Sequence, residues 1–394
     1  MERVILVLNS GSSSIKFTLY TGTRDLLKGQ ISGLGATPHI RLTSRASGTE
    51  IDRPLTGAEG KTHGTALAAL LPVLESELGG RSVDAVGHRV VHGGVTHAAP
   101  LRITADVMTE LRALEPLAPL HQPHNLAGIE AARAAFPRAQ QTACFDTAFH
   151  RNHPWVNDTF ALPRPLYDEG VRRYGFHGLS YEYICRYLKE TRPETFSGRV
   201  IVAHLGNGAS MCAIRDGQSI GSTMGFTALD GLPMGTRCGQ LDPGVVLYLL
   251  TTKGLSADEV SDLLYKNSGL KGLSGISQDM RTLTESDDPR AAEAIDYFVF
   301  RIRREIGAMA AVLGGLDTVV FTGGIGENAA PIREKICAGQ DWLGLSIDPA
   351  RNLDHREDIS AEASSVRVLV IPTNEEETIR RHTEALLDDV TAPA

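Results

Sequence analysis

The chain has 394 residues, of which 42% are hydrophobic and 22% charged, and a formal net charge of −8; this is the profile of a soluble globular protein long enough to hold two cores. The acidic balance argues against nucleic acid or an anionic membrane as the main partner, and no apolar run reaches the roughly 18 residues that a membrane span needs. The cysteines, Cys144, Cys185, Cys212, Cys238 and Cys337, are scattered, odd in number and without a C-x-x-C pair, which argues against a disulfide framework or thiolate zinc site and for a cytoplasmic protein.

The chain opens on the apolar run 4–8, without the longer apolar region or cleavage site of a secretory signal. Apolar β-branched runs then alternate with helical periodicity, the pattern of an α/β fold. In chain order the pattern predicts strands over 4–8 and 15–20, a helix over 64–78, a strand over 83–91, helices over 105–114 and 125–136, and a strand over 142–145. A stretch rich in Pro, Asn and Asp, 151–174, reads as a loop and domain junction. Beyond it the pattern predicts a helix over 180–189, strands over 200–204 and 211–215, helices over 243–252, 257–266 and 291–313, strands over 318–322 and 366–371, and a last helix over 375–389.

"VILVLNSGSSSIKFTLY" has a faint counterpart half a chain later in "RVIVAHLGNGASMCAIRDG", with Gly11-Ser12-Ser13 against Gly208-Ala209-Ser210. "VDAVGHRVVHGG" and "LDTVVFTGGIGEN" also run parallel. Two similar halves facing each other would enclose a cleft, a common place for ligands.

Three glycine-rich turns follow strands: "NSGSSS" (9–14), "HLGNGAS" (204–210) and "FTGGIGEN" (321–328). Converging backbone N–H groups in such turns bind anions, and glycine lets a phosphate approach the backbone closely. Each turn alone also reads as an ordinary solvated hairpin; the three together favour a nucleotide or polyphosphate. "LTGAEGKT" is not a P-loop, because Leu55 stands where the first glycine is needed. Arg89, between two histidines and before Gly93-Gly94, suits bidentate capture of a carboxylate or phosphate. The stretch that holds His88 and His92 reads as strand rather than helix, and i, i+4 side chains there do not converge on a metal as they would on a helix. Arg237 in "MGTRCG" repeats the arginine theme among small residues, while His177 in "YGFHG" and Asp146 in "CFDTAFH" read equally well as site residues or as buried structural ones. Asn374 and Glu375 open the last helix, where acidic residues also serve simply as first-turn partners of the helix dipole.

With these residues in place the sequence resembles the acetate kinases over nearly its whole length. "LNSGSSSIK", "HRVVHGG", "LAPLHQPHN", "FDTAFH", "YGFHGLSY", "HLGNGAS", "MGTRCGQLDPG", "FTGGIGENA" and "PTNEE" look like family segments in family order. The resemblance implies a duplicated ribonuclease-H-like α/β fold of two domains with a central cleft, a superfamily shared with sugar kinases and actin. The expected domains are 1–150, joined by the C-terminal helix 376–394, and a nucleotide-binding domain over 151–375. It implies reversible transfer of the γ-phosphoryl group from ATP to acetate, with Mg²⁺ (or Mn²⁺), in a homodimer. By motif position, Asn9 and Glu375 would lie at the metal, and Ser12, Ser14 and Lys16 near the ATP phosphates. Arg89 and Arg237 would hold carboxylate and phosphoryl, His177 would stabilise the transition state, His121 would lie near the phosphoryl group, and Asp146 is the family's essential acid. His204, Leu205, Gly206, Asn207 and Gly208, with Asp279, Met280 and Arg281 and with Gly324, Ile325, Gly326, Glu327 and Asn328, would contact the nucleotide. Val91, Leu120, Phe176 and Ala228 would line the acyl pocket.

Charge accounting refines two of these expectations. A small carboxylic acid titrates near the Asp/Glu range of about 4, so the acceptor is already ionised and needs no general base; Asp146 is then expected to orient metal or Arg/His partners. The family resembles "FTPLEGL" where this chain reads "FTALDGL", so Ala228 leaves room for propionate, at a gain of only ~1 kcal/mol per methylene. A sugar kinase would need an acidic base for a neutral hydroxyl, against which the paired arginines argue. A nucleotide-gated ATPase would need a polymer-binding surface, and no appended domain for one is evident.

Overall fold

The computed structural model describes residues 2–45 and 47–391. The chain divides into two compact units, Met1–Ala148 with Asn374–Ala394, and Phe149–Thr373. The first unit contains β1 (Val4–Ser10), β2 (Ser14–Thr21), β3 (Arg24–Ser32), β4 (His39–Ser44), β5 (Glu50–Pro54), α1 (His63–Leu78), β6 (Ala85–Val90), β7 (Leu101–Arg102), α2 (Ala105–Ala113), α3 (Gln122–Ala135) and β8 (Gln140–Phe145). The second contains α4 (Trp155–Asp158), α5 (Arg164–Asp168), α6 (Gly178–Thr191), α7 (Pro193–Phe196), β9 (Arg199–Leu205), β10 (Ala209–Arg215), β11 (Gln218–Ser222), α8 (Pro243–Thr251), α9 (Ala257–Lys266), α10 (Gly269–Ser274), α11 (Met280–Thr284), α12 (Pro289–Leu313), β12 (Thr318–Thr322), α13 (Gly323–Asn328), α14 (Ala330–Cys337), α15 (Pro349–Leu353) and β13 (Arg367–Val370). The last helix, α16 (Glu375–Thr391), returns to the first unit.

The strand order in the first unit is β5-β4-β3-β2-β1-β6-β8-β7. β1 is antiparallel to β2 and parallel to β6, and β6 is parallel to β8. Its apolar run "VILVL" is buried on both faces, as a central parallel-paired strand requires. β4 instead alternates, burying Ile40, Leu42 and Ser44 while Arg41 and Thr43 face solvent. On one face α1 packs Ala66, Leu67, Leu70, Leu74 and Leu78 into the core with Leu6, Leu8, Phe17 and Leu42. The Thr62–Thr65 capping box starts this helix, and Gly79, left-handed at φ 56°, ends it. α16 covers β6 so closely that a Cβ on Gly87 would lie 2.4 Å from Thr383 Oγ1. α3 crosses β1 at Gly128, where a Cβ would lie 2.1 Å from Ser10 Oγ.

The second sheet runs β11-β10-β9-β12-β13. Its central β9 is antiparallel to β10 and parallel to β12, and β12 is parallel to β13. This order and sense match β3-β2-β1-β6-β8, so the short sequence repeat reflects a repeated supersecondary unit. The fold is the duplicated α/β architecture expected from the motifs. The predicted strands and long helices are present with ends displaced by up to three residues. The loop predicted over 151–174 contains the single-turn helices α4 and α5, the latter with Pro165 in its first turn, where a fixed φ suits helix entry.

Candidate active site

In the first unit, parallel pairing sets Arg89, near the end of β6, beside Cys144 of β8, and Asp146 follows just beyond that strand. Arg89 donates from Nε to Asp146 Oδ1 at 3.0 Å and from Nη2 to Oδ2 at 2.5 Å. This two-point fork fixes the guanidinium plane. Asp146 is 1% exposed. Arg89 Nη1 donates to Asn9 Oδ1, on β1, at 3.2 Å, and Nε lies 3.8 Å from Glu375 Oε2 at the start of α16. Burial opposes the charge on Arg89, but Asp146 and Glu375 more than offset it and raise its pKa. Burial likewise pushes the Glu375 carboxyl above its ordinary value, with Arg89 opposing.

Lys16 pairs across the ladder from Asn9. Ser12 and Ser14 belong to the turn between β1 and β2, closed by Gly11 N donating to the Ser14 carbonyl at 2.8 Å. His121 stands at the start of α3, Val91 is buried just past β6, and Leu120 is half-buried. Sequence reasoning missed Asn125, whose amide donates to the Ser10 carbonyl at 2.7 Å and accepts from Val91 N at 2.9 Å. One buried side chain thus ties the strands that carry Asn9 and Arg89. Asn9 Oδ1 and the Glu375 carboxylate are oxygen donors, the kind a hard divalent cation takes, and a cation there would relieve a carboxylate strained by burial. The residues therefore fit Mg²⁺ or Mn²⁺. Among the described residues no three His, Cys, Asp or Glu side chains cluster as a metal cage. An ion here would rely on few protein ligands, as Mg²⁺ commonly does.

In the second unit, the turn between β9 and β10 closes with Gly206 N donating to the Gly208 carbonyl at 3.0 Å. Gly208 is hemmed in: a Cβ would lie 2.9 Å from Arg237 Nη2 and 3.3 Å from His177 Nε2. His177 caps α6 in the left-handed region, φ 57°, a conformation that costs a non-glycine residue about 1–2 kcal/mol. Its Nδ1 lies 2.8 Å from Ser210 Oγ, and its ring stacks on His204 at 4.3 Å between centroids. His204 Nδ1 in turn meets Ser180 Oγ at 2.9 Å. Arg237 donates from Nη1 to the Ala228 carbonyl at 2.7 Å, and Phe176 is buried.

A cleft of about 560 Å³ opens beside this group, lined by Gly206, Asn207, Asp279, Met280, Arg281, Gly324, Ile325 and Asn328 together with Gln278, Thr284, Glu285, Ala329, Pro331 and Ile332. His204, Leu205, Gly208, Gly326 and Glu327 do not line it. Glu327 turns inward, its Oε1 accepting from Gly323 N at 2.9 Å and Thr373 N at 3.1 Å. Gly323 needs its missing side chain, since at φ 76° a Cβ would lie 2.8 Å from the Leu205 carbonyl oxygen. Arg333, which sequence reasoning also missed, is buried under this turn and donates from Nη1 to the Gly326 and Glu327 carbonyls, both at 2.9 Å. Burial lowers its pKa to about 10. Arg333 is a single polar position inside a helical pattern that no motif marks, whereas Asn125 closes the segment "LAPLHQPHN" without any sign there of what its amide holds.

The family model described as the Acetokinase family matches residues 4–381. An acetate kinase of Methylocella silvestris is 56% identical, with both chains covered completely. One of Rhodopseudomonas palustris is 53% identical over 98% of this chain and 99% of its own. Among solved structures, Porphyromonas gingivalis acetate kinase superposes with a TM-score of 0.88 at 38% identity, covering 98% of this chain and 100% of that one. A propionate kinase from Francisella tularensis superposes with a TM-score of 0.91 at 36% identity, covering 97% and 99%.

Proposed function

The chain belongs to the acetokinase family, and from that premise we propose that it transfers the γ-phosphoryl group of ATP to acetate, reversibly, giving acetyl phosphate and ADP. The observation that carries the proposal to this chain's own residues is the convergence of Arg237 and His177 on Gly208, at the turn whose Gly206 and Asn207 line the cleft. A guanidinium and an imidazole beside a glycine-lined cleft are what transfer of a negatively charged group needs.

The nucleoside is assigned to the cleft, where Ile325, Ile332, Pro331 and Met280 supply apolar walls and Asn207, Thr284, Glu285 and Asn328 supply polar groups. Arg237, held through the Ala228 carbonyl, presents positive charge to the transferring phosphoryl group. His177 donates or accepts at Nε2 beside it, aimed by Ser210 at Nδ1. Arg89 binds anionic substrate with its plane locked by Asp146. No residue need remove a proton from acetate, which is ionised at neutral pH; Asp146 works by orientation, its two oxygens both committed to Arg89. Asn9 and Glu375 would hold Mg²⁺, which when bound supplies charge neutralisation for the phosphate oxygens. ATP formation from ADP, acetyl phosphate and Mg²⁺ tests this reading: the proposal predicts stoichiometric ATP, and its absence in folded protein would refute it.

Propionate is the second acceptor to consider. Ala228 is a small residue in the loop that anchors Arg237, and the Francisella neighbour is a propionate kinase. A homodimer is proposed on a separate observation. α8, "PGVVLYLLT", has no buried residue although almost all of it is apolar. Gln240, just before α8, accepts from Arg301 of α12 at 2.8 Å. On α12 Phe300 is 61% exposed, as is Leu247 on α8. An apolar surface of this kind is normally covered by a partner, and a second copy is the occupant proposed.

A further inference from the structure

Behind His177 lies a buried polar chain that the proposed reaction does not use directly. His150 is fully buried, with Nε2 2.9 Å from the Phe176 carbonyl and Nδ1 2.8 Å from Ser219 Oγ. Ser219 Oγ is also 2.6 Å from His153 Nε2 and 3.1 Å from Cys212 Sγ. The direction of every bond follows from its end. A carbonyl only accepts, so His150 Nε2 carries the proton. Burial lowers the His150 pKa to about 4, so the ring is neutral and Nδ1 is a bare acceptor. Ser219 therefore donates its one proton to His150, and His153 must donate from Nε2 to Ser219. His153, held neutral by burial with a pKa near 2, then has a bare Nδ1, and that atom is the one without a hydrogen-bond partner. A lone pair left unpaired there is consistent with the same tautomer.

The chain ends on a strained piece of backbone. Gly175 is left-handed at φ 72° and rests on the His150 ring, where a Cβ would lie 2.6 Å from two ring carbons. Tyr174 N and Gly175 N both donate to the Gly225 carbonyl, at 2.9 and 3.3 Å. Two residues on, His177 is left-handed without the excuse of being glycine. Such a conformation persists only where its surroundings over-determine it. The Phe176 carbonyl, the peptide group joined directly to His177, is the point at which they do so.

We propose that His150 is a positioning residue: through the one-way relay from His153 to Ser219 to His150 to the Phe176 carbonyl, it holds His177 in its left-handed conformation and aims its imidazole. The inference rests on the reading of His177 as a phosphoryl-contacting group. It assigns a function to the last histidine of "CFDTAFH" and to a serine on β11 that no motif marked.

Two substitutions separate the ends of the relay. The amide nitrogen of His150→Gln stands near the Nε2 position and keeps the donor to Phe176, whereas His150→Asn reaches Ser219 but not Phe176. His150→Asn is expected to lose at least tenfold in kcat with the KM for ATP within twofold, and His150→Gln no more than threefold, even where both lower Tm alike. Equal kcat for the two, measured per folded molecule, would overturn the relay, as would a ring nitrogen spectrum of ¹⁵N-histidine protein at pH 7.5 showing His150 protonated at Nδ1. On a His177→Ala background His150→Asn should cost nothing further. If His177→Ala is impaired but His150→Asn is not, the inference alone fails; if His177→Ala is itself near wild type, the reading of His177 fails and takes the inference with it.

Discussion

Acetate arrives at the protein already ionised, and the residue scale is governed by that fact. Asp146 has both oxygens on Arg89, so Asp146→Asn should act by loosening a guanidinium. Its kcat should fall about 10²–10³-fold, the usual range for losing one preorganised group, while the shape of the pH–rate profile between pH 6 and 8 stays that of the wild type. Loss of a basic limb from that profile would instead mark Asp146 as a proton acceptor. On the proposed reading Arg89 and Arg237 each supply a cation that offsets repulsion between two anions, so Arg89→Ala and Arg237→Ala should each cost about 2–4 kcal/mol of transition-state stabilisation in kcat; near-normal turnover in either variant would refute the role proposed for that arginine. Ala228 carries the carbonyl that anchors Arg237, and proline would keep that carbonyl. Ala228→Pro should therefore retain activity but lower the propionate/acetate ratio of kcat/KM, by up to about tenfold for a methylene-sized change. An unchanged ratio would show that Ala228 does not set acyl size.

At the scale of elements, the uncovered face of α8 and α12 carries its own prediction. Leu247→Glu with Phe300→Glu should shift sedimentation from a dimer to a monomer; a wild-type protein that sediments as a monomer at micromolar concentration would contradict the proposed face. The elements themselves were unevenly legible. Doubly buried strands such as β1 and β9 read clearly because both faces are apolar. β3, "RDLLKGQIS", and β11, "QSIGS", went unread because half or more of their residues are polar and only pairing with β2 and β10 makes them strands. The candidate site was legible as separate motifs but not as a constellation. Asn9, Arg89, Asp146 and Glu375 come from four distant segments, and what joins them is the β1-β6-β8 order with α16 laid against it. Arg333 was invisible because a lone polar residue in a helical pattern carries no signal of what it will hold, and Asn125 and Ser210, though they close the segments "LAPLHQPHN" and "HLGNGAS", carry no sign there of the groups they bond.

At the scale of the whole molecule, buried neutral histidines make stability depend on pH. His88 and His150 have pKa values lowered to about 4 and His153 to about 2, all chiefly by burial, from an ordinary value of 6.5. Below pH 6.5 the unfolded chain binds protons that the folded chain refuses, so stability falls as pH falls. Each histidine contributes up to about 1.4 kcal/mol per pH unit between 6.5 and its folded value. Urea titrations should show the midpoint dropping steeply from pH 6.5 to 4.5 in wild-type protein and less steeply in His88→Gln. An equal slope in the variant would mean that His88 does not refuse its proton in the folded state.

Incubating the protein with ATP, Mg²⁺ and acetate and trapping the product with hydroxylamine asks whether the acceptor is a small carboxylate and the product an acyl phosphate. Acetyl hydroxamate should form in proportion to ADP released, with little ADP when acetate is left out. ADP released without hydroxamate from acetate, propionate or butyrate would contradict the proposed reaction and make the protein an ATPase of the same fold.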